Sequence, residues 1–132
     1  MAFRFEFDTA NKILLARFDG ILTDELLAEF YKATRKYSTA TDASAGVVDF
    51  SSVTEFAVSS ELLRQLGRAE PAMPDATRRP RIIVAPQTHA YGLFRMFQLT
   101  GEDTRPLLTV VHTMDEAFAV LGVQSSHFEP LV

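Results

Sequence analysis

The sequence predicts a single α/β domain in which an opening antiparallel hairpin leads into parallel strands covered by helices, in the order ββαβαβαβα. Three observations carry this expectation. Phe3, Phe5 and Phe7 alternate with Arg4, Glu6 and Asp8, the period of two of a strand with one buried face. Three later runs, "GVVDF", "RIIVA" and "LLTVV", are short and continuously apolar, as in strands buried on both sides. Between them the apolar residues recur every three or four positions, so each strand is followed by a helix that can serve as a crossover to a parallel neighbour.

Taken in order, "DTANK" supplies turn residues after the first strand, and "ILLARF" reads as the second strand of a hairpin. After Gly20 the period changes. Thr23 is an N-cap candidate, Asp24 and Glu25 suit the positive end of a helix dipole, and Leu26, Leu27, Phe30, Ala33, Thr34 and Tyr37 form an inward stripe. "STATDASAG" is expected to end this helix. "GVVDF" is then followed by a serine-rich turn and by "SELLRQLGRAE", whose Leu62, Leu63 and Leu66 make a second stripe. "PAMPDATRRP" carries three prolines and reads as structureless. After "RIIVA", Thr88 can cap a third helix with Ala90, Leu93, Phe94 and Phe97 inward and Gly101 as its stop. After "LLTVV", a capping box of Thr113 and Glu116 opens a last helix that ends at Gly122. Residues 1–122 thus read as the domain and 123–132 as a tail, whose Phe128 and Leu131 need cover from the body or from a partner.

Composition narrows the function classes. A chain of 132 residues buries about two-thirds of the surface its unfolded form exposes, so it needs no disulfide or metal to fold. There is no cysteine, which excludes thiolate metal sites and cysteine catalysis and fits a reducing compartment. A net charge of −4 argues against a nucleic-acid partner, which needs clustered Lys and Arg. The local basic groups, Arg78, Arg79 and Arg81 before a strand and Lys32, Arg35 and Lys36 on a helix, read as solvated charge. "MAFRFEF" has no signal-peptide pattern, and no apolar run approaches the ~18 residues of a membrane span. A cytoplasmic location is the expectation.

The element order and the stretch "VVDFSSVTEFAVSSELL", residues 47–63, resemble the STAS and SpoIIAA-like families, the sulfate-transporter and anti-sigma-factor-antagonist domains and their relatives. In those a strand ends in an Asp-apolar-Ser-x-Val-type turn, and an Asp-Ser-Ser-Gly sequence starts the next helix. Asp49, Phe50, Ser51 and Val53 match the first half. Ser59 falls on the serine that anti-sigma antagonists have phosphorylated, while Ala57, Val58 and Ser60 replace the aspartate, first serine and glycine of the second half. The segment from "RIIVAPQTHAYGLFRMFQLTGED" to "TVVHTMDEAFAVLG" resembles the small stand-alone bacterial SpoIIAA-like proteins, through Tyr91, Gly92, Arg95, Met96 and Phe97 and through Asp115, Glu116 and Ala117. The resemblance reaches down to Gly122 and implies a STAS-like α/β sandwich with a regulatory role. Fold alone does not imply activity.

In such a sheet ligands settle beyond the carboxyl ends of the parallel strands, where helix N-termini gather. That edge collects Asp49, Ser51, Ser52, Ser59 and Ser60 after one strand, and Gln87, Thr88, His89, Tyr91 and Arg95 after the next. Ser59, with Ser60 as runner-up, is a phosphoacceptor candidate in one reading and a helix cap in the other, and the altered turn around it favours the cap. Tyr91 and Met96 are candidates for a pocket wall or a contact between copies, and Arg95 for pairing with Asp49, Glu55 or an anion. Ser59, His89 and Asp49 have the residue types of a hydrolase triad, but no Gly-x-Ser-x-Gly elbow accompanies them. His89, His112 and His127 lack metal-ligand spacing, and no glycine-rich loop offers a nucleotide site, so neither metal nor cofactor is expected. The expectation is a non-enzymatic regulatory or protein-interaction module, with phosphorylation of Ser59 as one reading of its control. The alternative is a binding module for a small apolar or anionic molecule, or a lipid, at the same edge. Homodimerisation is expected from an exposed first strand and an uncovered apolar tail.

Overall fold

The computed structural model of the chain describes residues 3–69, 79–102 and 106–131. A sheet of six strands forms its centre: β1 (Phe3–Asp8), β2 (Ile13–Thr23), β3 (Ala45–Ala57), β4 (Arg81–Val84), β5 (Leu108–Val111) and β6 (Glu129–Pro130), in the spatial order β5-β4-β3-β2-β1-β6. Strands β2 to β5 are parallel, and β1 runs antiparallel to both β2 and β6. The crossovers are the helices α1 (Asp24–Ala40), α2 (Ser60–Arg68) and α3 (Thr88–Thr100), with α4 (Met114–Leu121) following β5. The mixed α/β sandwich expected from the periodicities is therefore present.

Alternation along the strands assigns the two faces. Phe3 and Phe5, Leu14, Ala16 and Phe18, Phe50, Ile83, and Leu108 with Val110 share one face, where they bury α1, α2 and α3 through Leu27, Phe30, Leu63, Ala90 and Phe94. The rings there meet in stacked and edge contacts, Phe50 against Phe94 at 4.5 Å and Phe18 against Phe30 at 4.7 Å. Each such phenyl, fully buried, contributes about 1.5–3 kcal/mol relative to exposure. Ile13, Leu15, Val47, Ile82, Val84 and Val111 point the other way, to α4 and to Phe128.

The structure corrects the bounds of β2 and β3 and the cap of α3, and shows where the later segment goes. The segment after Gly122 is part of the sheet: Glu129 pairs with Phe7 and Pro130 with Glu6, Leu131 N donates to Phe5 O, and Phe128 and Leu131 pack on the two cores. Part of the β1 edge, from Phe5 to Phe7, is thus covered within the chain, and Phe128 and Leu131 take their cover from the body. Strands β2 and β3 run past Gly20 and Phe50 to Thr23 and Ala57, so Ser51 and Ser52 lie in a strand, not a turn. Helix α1 ends inside "STATDASAG", as expected, at Ala40 with its cap at Thr41. Thr88 is the first helical residue of α3, and Gln87 holds the cap position without a side-chain capping bond. The proline-rich stretch up to Arg78 lies outside the described residues.

A clasp at the hairpin ties the later segment to the first strand. The carboxylate of Asp8, 1% exposed, accepts from Asn11 N, Asn11 Nδ2 and His127 N at 3.0, 2.7 and 3.1 Å, and Asn11 Nδ2 also donates to Ser125 O at 2.9 Å. Burial raises the pKa of this group, but the bonds from Asn11 and the backbone outweigh it and hold Asp8 below its ordinary 3.8. Thr23, Ser59 and Thr113 cap α1, α2 and α4 through their hydroxyls, and Gly122 closes α4 at φ 70°.

Candidate functional site

The carboxyl end of β3 is shaped by two extra residues. Between the pairs Arg17–Asp49 and Asp19–Ser52, β2 contributes one residue and β3 two; between Gly20–Val53 and Ile21–Glu55, Thr54 is inserted on β3. These bulges change the inward spacing from two to three, so Phe50, Val53 and Phe56 all pack into the same core. Side chains take up part of the disturbed backbone. Asp49 Oδ1 accepts from Ser51 N at 2.9 Å, and Gln87 Nε2 donates to Phe50 O and Val53 O at 3.3 and 3.1 Å. Asp49 and Gln87, expected as binding residues, are thereby engaged in holding the bulged strand. Asp49 is also the end of a charge row across β1, β2 and β3, with Arg17 Nε 2.8 Å from Glu6 Oε2 and Arg17 Nη1 3.5 Å from Asp49 Oδ2.

The lengthened strands bring the N-termini of α1 and α2 together, because Thr23 and Ala57 are partners at the end of the β2–β3 ladder. Ser59 is the exposed N-cap of α2, and its Oγ accepts from Leu62 N at 3.1 Å. The same residue donates twice to one carboxylate, from N to Asp24 Oδ1 and from Oγ to Asp24 Oδ2, each at 2.8 Å. Asp24 is the first residue of α1, so the carboxylate lies where two helix dipoles present their positive ends. Two bonds at this length to an ionised acceptor make a charge-assisted, bidentate pair. Ser51, Ser52 and Ser60 are exposed on the same edge.

By sequence, no protein-family model and no curated protein matches the chain. Solved structures do match it. The anti-sigma factor antagonist SpoIIAA in its unphosphorylated form superposes with a TM-score of 0.60 at 15% identity, over 94% of this chain and 100% of that one. The Bacillus cell fate determinant SpoIIAA in the phosphorylated form gives a TM-score of 0.55 at 19% identity, over 89% of this chain and 97% of that one. This chain has the SpoIIAA-like fold.

Within the SpoIIAA-like fold the second half of the expected edge does not converge on Ser59 through any bond. Thr88 and His89 are exposed, and Arg95 Nη1 donates to Gln98 Oε1 at 2.8 Å on the surface of α3. Arg95 does not meet Asp49, because α3 packs on one face of the sheet while Asp49 joins Arg17 on the other. Tyr91 is half-buried and stacks on His112 at 4.0 Å, with an interplanar angle of 11°. Residue patterns missed three partners. Asp24 was legible only as a dipole-compatible acid, His112 only as a scattered histidine, and Arg17 not at all. Asp24 follows a capping threonine, and that placement at a helix start is the one signal that could have drawn it to the site. Among the described residues no three His, Cys, Asp or Glu side chains are grouped to hold a metal ion.

Proposed function

We propose that this chain is a non-catalytic regulatory module that docks a protein partner through the edge formed by the N-termini of α1 and α2, with Ser59 as its phosphorylated switch. The observation that carries the reading is the pair of hydrogen bonds that Ser59 donates to Asp24. A phosphate on Ser59 Oγ removes the donor that meets Asp24 Oδ2 and puts nearly two negative charges against a carboxylate already seated there. Both anions then compete for the same helix N-termini, so modification alters the charge and the arrangement of this edge at once. The SpoIIAA-like fold supports a regulatory role of this kind, since the similar structures are of an anti-sigma factor antagonist and include a phosphorylated form. Exposure of Ser51, Ser52, Ser59 and Ser60 supports a surface read by another protein.

Intact-mass measurement of the chain purified from its own host tests the switch. The expected result is a phosphate increment in the wild type that is absent from Ser59→Ala. An unmodified chain under every growth condition removes the switch and leaves Ser59 as a helix cap.

A further inference from the structure

A pocket of about 120 Å³, partly open to solvent, lies in the main core between the sheet and α1, α2 and α3. It reaches the amino ends of the parallel strands, at Gly46, Arg81 and Leu108, and so extends away from Ser59. The walls are mostly aliphatic and aromatic, and Asp49, Gln87, Tyr91 and Met96 do not line it. Three polar side chains of α1 face it: Tyr31, Thr34 and Ser38. Thr34 Oγ1 is satisfied by donating to Phe30 O at 2.9 Å, and Arg81 is engaged in interactions of its own. Ser38 differs. It is 1% exposed, and among the described residues its Oγ has no hydrogen-bond partner, although a helical serine ordinarily reaches the carbonyl four residues back.

A buried hydroxyl on an apolar wall is costly to leave unpaired, and a ligand group that hydrogen-bonds Ser38 Oγ offsets that cost. A cavity of about 150 Å³ with such walls admits a benzene ring, which sets the size class. We propose that this cavity is a binding site for a small apolar molecule, a single ring or short alkyl chain, bearing one neutral hydrogen-bonding head group that pairs with Ser38. The site is independent of the reading of Ser59.

Methyl-detected NMR titration of the full chain with benzyl alcohol and with toluene tests it. Benzyl alcohol is expected to shift the methyl resonances of Leu27, Leu63, Ile83 and Leu108. Ser38→Ala is expected to weaken benzyl alcohol about fivefold, the share of one neutral hydrogen bond, while leaving toluene unchanged. Thr34→Leu, which fills the space without touching Ser38, is expected to abolish binding of both probes in a chain that stays folded by circular dichroism. Absence of shifts at these methyls, or an equal effect of Ser38→Ala on both probes, overturns the proposal. Retention of both probes by Thr34→Leu does so as well.

Discussion

Asp8 shows how one carboxylate can join distant parts of a small domain. Its three donors come from residues three and 119 positions away, and together they hold the ionised form. A group whose folded pKa is depressed contributes stability that is present above its unfolded value and is lost as pH falls through the folded one. Asp8→Asn is therefore expected to unfold at lower denaturant at neutral pH, by about 1.5–3 kcal/mol, because a charged acceptor is replaced by a group that itself carries donors. Below the ordinary 3.8 the gap between variant and wild type is expected to close, and urea titrations at pH 7 and pH 3 read this directly. A constant gap at both values would show that the carboxylate's charge contributes nothing.

At the scale of elements, packing constrains even an absent side chain. α2 and α3 lie so close that a Cβ at Gly67 would come within 3.0 Å of Thr100 Cγ2 and 3.1 Å of Thr100 Cβ. Alanine gains about 1 kcal/mol of helix propensity at such a site, but overpacking costs about 1–3 kcal/mol, and Thr100 Cβ cannot swing aside. Gly67→Ala is expected to lower the unfolding free energy by about 1 kcal/mol in denaturant titration, and Thr100→Gly in the same chain to restore part of it. The elements themselves were largely legible, because the helical stripes of α1 to α4 and the apolar runs of β3, β4 and β5 have unambiguous periods. What was not legible follows from the bulges. With Phe50, Val53 and Phe56 three apart, "FSSVTEF" loses the alternation of a strand, and its serines imitate a turn. Ser59 was found, but its partner Asp24 lies 35 positions away, and no local pattern reports a pairing of that reach.

The whole molecule is one sheet with cover on both sides, and its last piece is the smallest. β6 contributes two residues, Phe128 adds its ring to Phe118 at 6.2 Å, and Leu131 joins the main core. Phe128→Ala is expected to cost less than the 3–5 kcal/mol of a fully buried phenylalanine, about 1–2 kcal/mol, because the ring is only half covered. Amide exchange is the informative readout, with Phe7 and Leu131 losing protection ahead of β3 and β4.

The place of β6 beside β1 also has a consequence in time. On the ribosome, β1 is made first, while the residues that cover its outer side are made some 120 positions later. At about 5–20 residues per second that interval is roughly 6–24 s. Throughout it the nascent chain carries a strand rich in phenylalanine with unpaired amides and carbonyls, open to any extended segment of a neighbouring polypeptide. Arg4 and Glu6, which face away from the aromatic core, put charge along that strand during this period and oppose such pairing before the closing residues arrive.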